Sequence, residues 1–176
     1  MPHLCRRIIE DLQAWGWMAD EAPVRISRSK LVDESVKGPR RPPRAEEIER
    51  AALLASRRPA SAIVILCDSD DDCPATWGPQ AAAIAGKIVP AAAVMATREF
   101  EAWILYGCWT QQQRLEAGVP NPGLVRDAKS QVRKLHAGYK PTLHQAELTK
   151  RIKLQRARDA STSFDKLYRD IKRIVS

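Results

Sequence analysis

Apolar residues recur along this chain at two different periods. Over residues 2–17, Leu4, Ile8, Ile9, Leu12 and Trp15 return every three or four positions, which predicts a helix with Pro2 in its first turn and Gly16 as its stop. Residues 45–57 repeat that pattern, with Ile48, Ala51, Ala52 and Ala55 on one face. Between them, Val24-Arg25-Ile26-Ser27 alternates and predicts a short edge strand. The Pro- and Gly-rich stretch Lys37-Gly38-Pro39-Arg40-Arg41-Pro42-Pro43-Arg44 predicts a loop; its cations could touch phosphate or simply be solvated.

Two runs break the helical period. Ala62-Ile63-Val64-Ile65-Leu66-Cys67 and residues 90–96 are continuously apolar, as expected of fully buried strands. The segment 74–88 between them is Ala-rich and predicted helical in its second half, so the strands are parallel with a helical crossover. Further on, residues 111–123 read as a loop and 127–136 as a basic helix stopped by Gly138. Residues 144–158 read as one helix with Leu148, Ile152 and Leu154 inside. Ser161-Thr162-Ser163 caps a last helix whose buried stripe is Phe164, Leu167, Tyr168, Ile171 and Ile174. The fold class is therefore α/β. Residues 1–125 form the core, and residues 126–176 a basic helical extension packed on it.

Both apolar runs end in acid. Asp68, Asp70, Asp71 and Asp72 follow the first, and Glu99 and Glu101 follow the second within Thr97-Arg98-Glu99-Phe100-Glu101-Ala102-Trp103. Asp68 and Asp70 are two apart, so on an extended chain they share a side. Like charges about 4 Å apart cost roughly 4 kcal/mol at an effective dielectric near 20, which a hard cation such as Mg²⁺ would relieve. Asp68 and Asp70 are accordingly expected to bind metal, at the carboxyl end of a strand where open α/β sheets bind ligands. Asp71 and Asp72 read as cap or solvated residues. Glu99 and Glu101 either decorate the first turn of a helix or complete the metal site, and at least one is expected to take part. If a helix began at Thr97 the two would lie about 200° apart and could not both face the metal.

The net charge of +8 is unevenly placed: residues 126–176 hold 14 Lys and Arg against 5 Asp and Glu. That basic third could hold a phosphate backbone or be a solvated helical face. Lys129, Arg133, Lys134 and Lys140 are its candidate phosphate contacts. No run approaches the ~20 apolar residues of a membrane span, and no signal peptide is visible. Cys5, Cys67, Cys73 and Cys108 fit neither a disulfide framework nor a zinc signature, so a cytoplasmic chain with reduced thiols is expected. Walker, dinucleotide and nucleophile-elbow motifs are absent, and the three histidines give no triad; His136 and His144 read as surface residues.

Four segments carry a family resemblance: Leu66-Cys67-Asp68-Ser69-Asp70-Asp71-Asp72-Cys73-Pro74, Arg98-Glu99-Phe100-Glu101-Ala102-Trp103, Asp127-Ala128-Lys129 and Tyr139-Lys140-Pro141-Thr142. In that order, and on to Ser163-Phe164, they resemble the Toprim-like domain-of-unknown-function family 4276 over nearly the whole chain. The resemblance implies a Toprim-like central parallel sheet flanked by helices. It also implies Mg²⁺ (or Mn²⁺) held for phosphodiester chemistry, with Asp68 and Asp70 as the D-x-D motif. The family's first strand carries V-E-G-x-x-E ahead of a helix like that at 2–17; this sequence lacks the motif and is expected to begin just after it.

Three functions compete. The first is a Mg²⁺-dependent nuclease with Asp68, Asp70, Glu99 and Glu101 in the catalytic site, acting on DNA or RNA, as in the effector of an ATPase-linked anti-phage module. The second is a catalytically inactive Toprim-like subunit that binds an ATPase of the ABC/AAA kind, as the missing first-strand Glu suggests. The third is a nucleic-acid-binding module using the basic third alone. A homo-oligomer is open under each, and no membrane partner is expected.

Overall fold

The computed structural model describes residues 2–14 and 23–176. The helix expected over 2–17 is shorter: it ends at Asp11, ahead of a turn with Gln13 at φ +51°, while Trp15 and Gly16 lie outside the described residues. The elements are α1 (Pro2–Asp11), α2 (Arg28–Leu31), α3 (Ala45–Ser56), β1 (Ile63–Asp68), α4 (Pro74–Ala85), β2 (Ala91–Ala96) and α5 (Phe100–Cys108). They continue with α6 (Gln111–Glu116), a 3₁₀ turn (Pro122–Leu124), α7 (Ala128–Leu135), α8 (Pro141–Arg151), α9 (Leu154–Ala160) and α10 (Thr162–Val175).

The architecture is α/β. Among the described residues the sheet has two strands, parallel and in register from Ile63 opposite Ala91 to Asp68 opposite Ala96. Side-chain alternation splits each strand between two cores. Val64, Leu66, Val94 and Ala96 face a core built with α1, α5 and α7–α10, whose largest members are Trp103, Phe164 and Tyr139. Ile63, Ile65, Cys67, Ala91, Ala93 and Met95 face a smaller core with α2, α3 and α4 around Trp77. Helices therefore cover both faces, and the basic third shares the larger core with α1 and α5.

The strands differ in burial. Every residue of β2 is buried, because α4 and α10 pack closely on it. Gly78 permits the α4 approach: a Cβ there would meet the Ala93 carbonyl oxygen at 2.8 Å. Along β1 only Ile63 is fully buried, so the expectation of a fully buried first strand is corrected. The reason is its outer edge, which carries no strand partner among the described residues.

Other local expectations also change. Val24-Arg25-Ile26-Ser27 forms no strand; Val32 instead makes an isolated antiparallel bridge to Pro43. The segment read as a loop at 111–123 opens with α6, capped reciprocally by Thr110 and Gln113. The single helix expected over 144–158 is two, α8 and α9. At the break the Lys153 N–H donates to the Gly107 carbonyl at 3.0 Å, and Ile152 packs where a Cβ on Gly107 would sit.

Candidate functional site

The parity that builds the cores also aims the acids. Asp68, the last residue of β1, continues the face of Val64 and Leu66, toward α5 and α7. Its Oδ1 accepts a hydrogen bond from the Phe100 N–H at 2.7 Å, at the start of α5. Burial pushes its carboxyl up to about 6, with the charges of Glu101 and Glu99 adding to the rise while the Phe100 N–H and Lys129 oppose it.

Glu99 and Glu101 meet Asp68 because α5 begins later than Thr97. Glu99 is its N-cap in extended conformation, so Glu99 and Glu101 do not stand opposed on one helix. Glu99 Oε2 pairs with Lys129 Nζ at 3.3 Å, and its Oε1 accepts from the Asp127 N–H at 3.2 Å. Glu101 does lie in the first turn of α5, but it is 1 % exposed, so it is a buried, hydrogen-bonded group rather than a surface decoration. Its Oε1 accepts from the Tyr139 hydroxyl at 3.0 Å and from Gln145 Nε2 at 3.4 Å. Burial and the Glu101 charge together push the Tyr139 hydroxyl up. Burial pulls the Lys129 ammonium down, but Glu101, Glu99 and Asp68 outweigh it and hold Lys129 above its ordinary value. Asp68, Glu99, Glu101 and Lys129 thus form one electrostatic cluster at the carboxyl end of the sheet.

Asp70 is not part of that cluster's hydrogen bonding. The strand stops at Asp68 and the chain turns, with Asp70 at φ +48°. The same-side expectation for Asp68 and Asp70 holds only for extended chain, so it fails here. Asp70 Oδ2 lies 3.2 Å from Arg28 Nε instead. Asp71 is clamped by Arg98 Nη1 at 2.5 Å and by Arg126. These hydrogen bonds and charges hold its carboxyl below the usual range. The Asp72 side chain is fully buried between Arg28 and Arg41, the latter at 2.6 Å, so it is neither a helix cap nor solvated. The cationic loop is fixed beside this turn, the Cys73 N–H donating to the Pro39 carbonyl at 2.6 Å.

Arg28, Arg41, Asp70, Asp71, Arg98, Glu99 and Arg126 line a cleft of about 300 Å³. Glu99 belongs both to this cleft and to the Lys129 cluster, so the two adjoin. Backbone strain gathers here: among the described residues, non-glycine positive φ occurs at Asp70, Arg98 (+63°), Asp127 (+64°) and, elsewhere, Gln13.

Of the four candidate phosphate contacts, only Lys129 joins the acids. Arg133 Nε donates to the Tyr139 carbonyl at 3.4 Å and Lys134 Nζ to the Gly118 carbonyl at 3.4 Å. The Lys140 side chain is exposed, and none of these three lines the cleft. The cleft's arginines come from the start of α2 (Arg28) and from three loops far apart in sequence (Arg41, Arg98 and Arg126). The available signals were Arg41, within the cation-rich loop that could touch phosphate, and Arg98, two residues past a strand tip.

The donor set suits a hard cation only in part. Among the described residues no three His, Cys, Asp or Glu side chains are grouped as a metal site. Mg²⁺ commonly uses one or two carboxylates, with water and substrate phosphate filling the rest. Asp68 and Glu101 fit that requirement, since each commits only one oxygen to the bonds described above. In comparisons with known proteins, no family model matches the chain, and neither a curated protein nor a solved structure matches it. No helix among the described residues is long and apolar enough to cross a membrane.

Proposed function

We propose that this chain is a Toprim-like, Mg²⁺-dependent nuclease that works on nucleic-acid phosphodiesters at the carboxyl end of β1 and β2. One observation carries the reading: Asp68 at the end of β1 and Glu99 and Glu101 at the start of α5, just past β2, reach the same rim, with Lys129 among them and an arginine-lined cleft alongside. Such a cluster of desolvated acid and specific charge partners is a functional-site signature.

Each group has a distinct task. Asp68, whose carboxyl lies near 6 in the cation-free site, must lose its proton to take a cation, and the Phe100 N–H fixes its orientation. Tyr139 and Gln145 hold Glu101 in place. The Lys129 ammonium is poised to stabilise charge developing on a phosphoryl oxygen. Arg28, Arg41, Arg98 and Arg126 grip the backbone without reading sequence. Asp68 and Glu101 would hold Mg²⁺ or Mn²⁺, which supplies Lewis-acid polarisation of phosphate and a more acidic water. Under this reading the open edge of β1 is where a Toprim-like sheet would continue.

The test is cleavage of mixed DNA and RNA substrates with Mg²⁺, Mn²⁺ or EDTA. Asp68→Asn and Glu101→Gln should each lower the rate by about 10²–10⁴. Undiminished cutting by both variants would reject the proposal. A second reading, a non-catalytic partner of an ABC/AAA-type ATPase, draws support from Lys129, which already offsets part of the acids' charge without a cation. Stable co-purification with such an ATPase, together with no cleavage under any metal, would favour it.

A further inference from the structure

The three acids of the Asp70–Asp72 turn are held in unlike ways, and Asp71 is the odd one. Its side chain is 47 % exposed, and two guanidiniums converge on it, Arg98 on Oδ1 and Arg126 on Oδ2. Two arginines on the two oxygens of one anion is also how proteins hold a phosphate. The clamp is built at a cost. Arg98 sits at φ +63°, a region arginine rarely adopts, and is kept there by the Ser69 hydroxyl accepting from its N–H at 2.8 Å. Its carbonyl accepts from the Asp70 N–H at 3.1 Å, and its Nη1 also donates to the Asp70 carbonyl at 2.9 Å.

Exposure decides what the clamp can do. Arg126 is 76 % exposed and Asp71 nearly half exposed, and ion pairs so wet are held weakly. Asp72, by contrast, is fully enclosed and cannot be displaced without unpacking the turn. We infer that Asp71 is an internal stand-in for substrate phosphate: a phosphodiester group of a nucleic acid displaces its carboxylate from Arg98 and Arg126. The inference rests on the nucleic-acid reading above. It adds a regulation of that site, because the empty clamp is self-satisfied and opens only to an anion that binds it better than one carboxylate does. It also names Arg98 and Arg126 as the phosphate seat, in place of Arg133, Lys134 and Lys140.

The experiment is binding in EDTA, so that cleavage does not enter. Fluorescein-labelled single-stranded DNA and its RNA counterpart are titrated across a salt series, with inorganic phosphate as competitor. Asp71→Ala should tighten oligonucleotide binding about three- to ten-fold by removing the competitor. The Arg98→Ala/Arg126→Ala variant should weaken binding at least ten-fold and flatten the salt slope by about 1.4, two single-strand contacts' worth. Arg126→Ala alone, at an exposed site, guards against misfolding of the strained Arg98 position and should flatten the slope by about 0.7. Competition by inorganic phosphate alone at low millimolar levels, with oligonucleotides no better per phosphate, would overturn the polynucleotide assignment. Unchanged or weaker binding by Asp71→Ala would overturn the stand-in, even if Asp68→Asn abolishes cleavage. The expected binding shifts without cleavage by any form would keep the stand-in and reject the nuclease.

Discussion

Asp68 and Asp72 stand four residues apart and are both largely removed from water, yet their surroundings are opposite. Asp68 faces the large core, with one backbone N–H as its hydrogen-bond donor and a lysine at a distance, among two further carboxylates. Asp72 faces Arg28 and Arg41 directly. One acid is left short of compensating charge and the other is fully compensated. The difference is produced by chain direction: β1 ends at Asp68, and the turn at Asp70 swings the rest of the run to the arginine side. A single acidic stretch thereby supplies an uncompensated carboxyl and a paired one. Buried charge without a close counter-charge is costly, and a fold keeps it mainly where chemistry needs it.

Removing the paired acid should give the larger loss. Asp72→Ala strands two guanidiniums that are each about one-fifth exposed. Breaking a buried pair costs about 3–5 kcal/mol, and the residual water access of both arginines puts this case near 3. Urea denaturation at pH 7 should show a midpoint lowered accordingly. A loss under about 1 kcal/mol would mean that Asp70 and Glu34, which already neighbour Arg28, simply take over.

Removing the uncompensated acid should have the opposite sign. The folded carboxyl of Asp68 lies near 6, above its unfolded value of 3.8. Between those values the folded state binds the extra proton, so stability falls as pH rises through the window and stays lowered above it. Asp68→Asn escapes that loss while its side-chain oxygen still accepts from Phe100. Its melting temperature should match wild type near pH 4 and exceed it at pH 8, by a free energy on the order of 2 kcal/mol. A constant difference across the pH range would show that Asp68 is not held out of water as described. Gain of stability with loss of cleavage in one variant would mark a site built for activity at the fold's expense.

Much of this is legible in the sequence. The two apolar runs, their parallel pairing and the acids at their tips follow from local composition. The Ser161 cap and the α10 stripe do as well. Glu99 and Glu101 were within reach, since only the helix start separated the two readings. Asp70 was not, because a strand's last residue is set by packing and the i, i+2 rule ends with the strand. The Val24–Ser27 strand failed because alternation over four residues cannot supply a partner. Arg41 stood in a cationic loop already open to phosphate, but its grouping with Arg28, Arg98 and Arg126 comes only from the tertiary fold. Thr110 and Gln113 carry a visible capping pair at the entry to a segment that proline content makes look like loop. The break before α9 depends on Gly107, a contact 46 residues away from Lys153 that no local pattern contains.

The smallest expected effect bears most directly on how the acids are divided. Asp71 resembles Asp72 in sequence and in having two arginine partners, but it differs in access to solvent. Exposed pairs of this kind gain little over separately hydrated ions and are screened by salt. Asp71→Ala should therefore lower stability at pH 7 by no more than about 1 kcal/mol in low salt, and by less in high salt. The same substitution in an Asp72→Ala background should add only that same small loss, since the two side chains share no arginine. If Asp71→Ala instead lowers the midpoint as Asp72→Ala does, or if the double variant departs from the sum of the singles, then the turn is one cooperative ion network. In that case no carboxylate in it is free to yield its arginines to a ligand, and the contrast between a fixed acid and a displaceable one disappears.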